Sequence, residues 1–108
     1  MTAHMRERLP NGRLGETFEL EVAGLRYTAT IGRFADGRLA EIFLLNHKAG
    51  SQADTNAKDS AIVASIALQY GVPVEIIRHA LTRDNHGRAT GPLGAALDRL
   101  ARDETTRR

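Results

Sequence analysis

Apolar and polar residues change their period partway along this chain. Thr17-Phe18-Glu19-Leu20-Glu21-Val22 alternates apolar side chains with polar or acidic ones, the period of two expected of a strand with one buried face. Tyr27-Thr28-Ala29-Thr30-Ile31 is rich in aromatic and β-branched types, and Ala23-Gly24 between the two segments marks a tight turn, which predicts a hairpin. A second turn at Ala35-Asp36-Gly37 leads into Leu39-Ala40-Glu41-Ile42-Phe43-Leu44-Leu45. That near-continuous apolar run predicts the most buried strand of a three-stranded antiparallel meander, with strands over about 16–23, 25–34 and 38–46.

Beyond residue 50 the spacing turns helical. A first helix is predicted over about 54–70, with Ser51, Asp54 or Thr55 as alternative N-caps and Gly71 closing it. Ile62, Val63, Ile66, Ala67 and Tyr70 supply its expected core-facing stripe, with Lys58, Asp59, Ser65 and Gln69 off that stripe. Pro73 suits the first turn of a second helix over about 73–83, with Val74, Ile77 and Leu81 buried and Arg78 and Arg83 wet. Asp84-Asn85-His86-Gly87-Arg88 breaks the pattern, and Pro92 opens a third helix over about 92–102 carrying Leu93, Leu97 and Leu100. The expected fold class is α+β, three helices covering one face of the meander. Residues 1–14 read as a partly ordered N-terminal extension, 15–102 as one domain and 103–108 as a frayed charged tail.

Composition narrows the chemistry. At 108 residues the chain can bury one core, and it has no cysteine, which removes disulfides, thiolate metal sites and thiol catalysis at once. Fifteen basic residues against 13 acidic ones leave a net charge of only +2, weak grounds for nucleic-acid binding. No segment resembles a signal peptide or reaches transmembrane length, so a cytoplasmic location is expected and no membrane partner.

The most suggestive cluster is Asn46-His47-Lys48-Ala49-Gly50-Ser51, a Gly-containing loop between the apolar strand and the long helix. Backbone donors at a helix start, its dipole, Lys48 and Ser51 could converge on an anion, so Asn46, His47, Lys48, Gly50 and Ser51 are candidates for binding a nucleotide phosphate. The alternative is ordinary architecture, with Ser51 capping the helix and His47 and Lys48 solvated. Arg83 and Arg88 form a secondary candidate, able to bracket a phosphate or carboxylate, although a plain turn with Asn85 or Gly87 left-handed explains the same residues. His4, His47, His79 and His86 have no metal-ligand spacing, and no catalytic pair is legible. Glu41 stands beside the most apolar run, where alternation would place it on an exposed sheet face.

From Ala40 to Asp98 the motifs fall in a specific order: Ala-Glu-Ile-Phe-Leu-Leu-Asn-His-Lys-Ala-Gly-Ser, the long helix, Gly71-Val72-Pro73, the second helix, and Gly91-Pro92-Leu93-Gly94. With Arg6-Glu7-Arg8-Leu9-Pro10-Asn11, Gly24 to Phe34 and Asp36-Gly37-Arg38 ahead of it, this block over roughly residues 6–101 resembles the TSCPD domain. That domain is found in the C-terminal region of adenosylcobalamin-dependent (class II) ribonucleotide reductases and in free-standing short proteins. The Thr-Ser-Cys-Pro-Asp motif that names the family is absent.

The resemblance implies a bacterial accessory or regulatory binding module linked to deoxyribonucleotide synthesis and DNA replication. It implies no catalysis by this chain alone, though family naming would suggest ribonucleoside-diphosphate reductase. It also implies no cofactor here, adenosylcobalamin residing only in a partner reductase. A reductase subunit, a nucleotide or another copy of the chain are the partners to expect. A rival reading takes Ala67 to Ile77 as a helix-turn-helix for DNA, with Arg78, His79 and Arg83 as contacts. Its reading helix would open on Pro73-Val74-Glu75-Ile76, poorly suited to bases or phosphates.

Overall fold

A computed structural model describes residues 5–9 and 15–106. Period-two alternation becomes three strands: β1 (Gly15–Val22), β2 (Leu25–Arg33) and β3 (Leu39–Asn46). They form an antiparallel sheet in the order β1-β2-β3. The β1–β2 turn places Ala23 at φ 53° and Gly24 at φ 77°, the two left-handed positions of a hairpin turn whose twist matches the strands. Alanine is a costly choice at the first of these, because its Cβ crowds the backbone there.

Register sorts the side chains onto two faces. Phe18, Ala29 and Leu44 align on one face, as do Leu20, Tyr27 and Asn46, and this face builds the core. Thr17, Thr30 and Phe43 align on the other, as do Glu19, Thr28 and Leu45. That second face is open.

Three helices follow: α1 (Gln52–Gln69), α2 (Val74–Ala80) and α3 (Pro92–Thr106). Ser51 caps α1, its hydroxyl accepting from the Asp54 N–H at 3.1 Å, so the helix starts two residues before the predicted 54. At its far end Val72 N–H bonds Ala67 O and Gly71 N–H bonds Leu68 O, with Gly71 left-handed at φ 95°. These two bonds make a Schellman stop.

The expected apolar stripe of α1 is turned the wrong way. Ile62, Val63, Ile66 and Tyr70 are 54%, 67%, 39% and 44% exposed, while Ala57, Ala61, Ala64, Ser65, Leu68 and Gln69 are buried. The cause is that α1 lies along β3, an edge strand, whose outward backbone groups need partners as well as apolar cover. Ser65 supplies them directly, its hydroxyl accepting from Ile42 N–H at 2.9 Å and donating to Ile42 O at 3.0 Å. Gln69 donates its amide to Ala40 O at 3.1 Å. The alanines at 57, 61 and 64 let the helix approach closely enough for those short side chains to reach.

Leu93, Ala96 and Leu97 of α3 and the partly buried Val74, Ile77 and Leu81 complete the core. The second helix ends at Ala80 rather than near 83, because Arg83 leaves it to pair with Ala89 in an isolated β-bridge. The third runs to Thr106 and so takes in most of the segment expected to fray. Thr105 and Thr106 donate their hydroxyls back to the carbonyls of Ala101 and Arg102. In the expected N-terminal extension, Glu7 donates its N–H to Gln69 O at 2.7 Å and accepts from Arg38 at 3.0 Å; residues 1–4 and 10–14 lie outside the described residues. No helix among the described residues is long and apolar enough to cross a membrane.

Candidate functional site

The loop from Asn46 to Ser51 is built around a carboxylate of the protein itself. Asp54, one turn into α1 and fully buried, accepts from the Asn46 N–H at 3.0 Å with one oxygen and from the Gly50 N–H at 3.1 Å with the other. Lys58, one turn further along, reaches the second oxygen at 2.9 Å. Lys58 first, then the Gly50 and Asn46 N–H groups, hold the Asp54 carboxyl down at about 2. Asn46 Oδ1 accepts from Lys48 N–H at 2.8 Å, and the Ser51 hydroxyl donates to Lys48 O at 2.7 Å.

The structure therefore gathers Asn46, Lys48, Gly50 and Ser51 into one turn, and Asp54 takes the backbone donors that a phosphate would use. A phosphate here competes with Asp54 for Asn46 and Gly50. His47 is turned toward the open sheet face, its Nε2 standing 3.2 Å from the Thr28 hydroxyl and 3.4 Å from Glu19.

Arg83 and Arg88 do not converge. Arg83 clamps Asp98 of α3 with two bonds of 2.8 Å, and Arg78 adds a third of 2.8 Å to the same carboxylate. Arg83 and Arg78 outweigh the partial burial that would raise it, holding Asp98 at about 2. Both arginines, expected to be wet, are thus half-buried ties between the α2 segment and α3. Arg88 stays exposed, 3.4 Å from Asp84, and Asp84 closes its turn by accepting from His86 and Arg88 N–H groups. The three side chains offered for DNA contact are likewise taken, Arg78 and Arg83 by Asp98 and His79 by Glu75 at 3.1 Å. Among the described residues no group of three or more His, Asp or Glu side chains is placed to hold a metal.

Two features of the open face were not legible in sequence. Glu41, expected exposed, is buried, because the residue across from it on β2 is Gly32, and a Cβ at Gly32 would stand 2.7 Å from Glu41 Oε1. Phe43 and Leu45 are 52% and 50% exposed and run into Ile62 and Ile66 of α1. Together they line a groove of about 640 Å³ rimmed by Arg6, Glu41 and Lys58. An uncovered apolar patch with a polar rim is the usual mark of a contact surface.

Over 77 residues the sequence is 43% identical to the vitamin B12-dependent ribonucleotide reductase of Agrobacterium fabrum, covering 71% of this chain and 6% of that protein. It is related to a short segment of that enzyme. The reductase of Bradyrhizobium diazoefficiens matches at 39% over 77 residues, and that of Rhodopirellula baltica at 39% over 72 residues. The chain spans only 6–7% of the length of these ribonucleotide reductases. No family model matches the sequence, and no solved structure does.

Proposed function

We propose that this chain is a non-catalytic accessory module of the TSCPD type that binds a B12-dependent ribonucleotide reductase, and so serves deoxyribonucleotide synthesis. The observation that carries the reading is 43% identity, over 71% of the chain, to a small segment of such a reductase, joined to a complete absence of cysteine. Ribonucleotide reduction runs through thiols, as substrate radical and as electron source, and no other side chain replaces them. Without a thiol this chain has no group to take up the radical that adenosylcobalamin would supply, and we assign the cofactor to the partner reductase.

In the relatives the matching segment is a small part of one long chain. The groove along Phe43, Leu45, Ile62 and Ile66 is the face we assign to the reductase, because it is apolar, exposed and unfilled by any described residue of this protein.

Two measurements test this reading. The purified chain with adenosylcobalamin, a ribonucleotide and a dithiol should form no deoxyribonucleotide above background, and turnover would defeat the accessory assignment. Immobilised on a biosensor, it should capture a B12-dependent reductase of its own cell. Phe43→Ser should weaken that capture by at least about tenfold, equivalent to about 1.4 kcal/mol, as expected for a central aromatic anchor. Unchanged capture by the variant would move the interface to another face.

A further inference from the structure

A second cleft, independent of the reductase reading, lies between the first half of α1, the Leu81–Thr82 turn and the start of α3. It measures about 570 Å³. Its floor is the first turn of α3, where the sequence Gly91-Pro92 leaves no side-chain oxygen to cap the helix. The backbone ladder resumes only with Ala95 N–H on Gly91 O at 3.1 Å, so the N–H groups of Leu93 and Gly94 have no acceptor among the described residues.

A helix start alone says little, but Tyr27 adds an independent observation. It comes from the central strand β2, lines the same cleft and is only 4% exposed, yet its hydroxyl has no hydrogen-bond partner among the described residues. Every fully buried side-chain nitrogen or oxygen among those residues does have one. The exposed part of Tyr27 therefore includes its hydroxyl, which lines the cleft without an acceptor among the described residues. Buried phenols ordinarily find a partner, so the missing one points to a ligand oxygen.

The walls define the rest of the ligand. Ala53, Ala57 and Leu81 are apolar, and among the described residues no lysine, arginine or histidine lines the cleft, which disfavours a polyphosphate. We propose that this cleft binds a small carboxylic acid with an apolar body. Its carboxylate is received by the first turn of α3 and the Tyr27 hydroxyl, and its body lies against Ala53, Ala57 and Leu81.

Benzoate is a suitable probe for the full-length chain. In a titration followed by amide resonances, millimolar benzoate should shift Leu93 and Gly94 first. Tyr27→Phe, which keeps the ring and removes only the hydroxyl, should weaken binding by about tenfold, the scale of one hydrogen bond to a charged group. Benzyl alcohol, with the same ring and no charge, should bind the unmodified protein at least about tenfold more weakly. Equal affinity of Tyr27→Phe, an equal response to benzyl alcohol, or shifts centred elsewhere would overturn the site. Inorganic phosphate acting on the same amides as strongly as benzoate would overturn the ligand class.

Discussion

Ala61→Asp is expected to unfold the protein at temperatures where Ile66→Asp stays native. Ala61 is 2% exposed, in the row of small residues that brings α1 against β3, and an aspartate there forces a larger, charged side chain into that close contact. Lost packing and the desolvation of a carboxylate together cost on the order of 3–5 kcal/mol, a large part of the stability of a domain this size. At roughly 4–8 °C per kcal/mol, the thermal midpoint should fall by about 12–40 °C. Ile66, by contrast, projects beside the open groove and is 39% exposed, so its substitution should cost no more than about 1 kcal/mol. Thermal unfolding followed by circular dichroism decides between them. The opposite ranking would mean that α1 presents its isoleucines, not its alanines, to the sheet.

Acid should loosen the attachment of the α2 segment to α3 before it melts the sheet. Asp98 has its carboxyl depressed to about 2 by Arg83 and Arg78, below the ordinary value of 3.8. A carboxylate depressed on folding contributes stability that is complete above the unfolded value and is lost as pH falls through the folded one. The loss should therefore fall between about pH 4 and pH 2. At neutral pH, Asp98→Asn should cost on the order of 2 kcal/mol, because two half-buried guanidinium groups lose the negative charge they share and one of its two acceptor oxygens is replaced by an NH2 donor. The variant should also show a shallower fall of its melting midpoint in acid. Asp54 titrates in the same direction and window, so the acid limb should be reduced rather than abolished. An acid profile identical to that of the unmodified protein would show that the Asp98 clamp does not contribute to stability.

The candidate phosphate loop shows how far a local reading reaches. Its place between β3 and α1, its Gly turn and its Ser51 cap follow from residues near one another in sequence, and all are present. Asp54 was legible as a possible cap, but its role is different: it folds back to bond the last residue of β3 and the loop's own glycine. Spacing does not reveal that, because it depends on the angle at which the helix leaves the strand. Arg83 and Asp98 are 15 residues apart and belong to different elements, so their pairing was hidden for the same reason.

What the sequence determined by itself was whatever rests on neighbouring residues: the two turns, the alternation of β1, the three strands, three helices, and the Ser51 and Gly71 ends of α1. These follow from backbone sterics and from side chains that reach no further than a turn. Only the tertiary structure decided which side of α1 faces inward. A helix laid on a sheet face buries its largest apolar residues, but a helix laid along an edge strand must also satisfy that strand's outward N–H and C=O groups. Ser65, Gln69 and Asp54 do so within a face of alanines, leaving Ile62 and Ile66 outside next to Phe43. Hydrophobic periodicity records how apolar each side of a helix is, and the sheet edge selected for hydrogen bonding and closeness of approach instead.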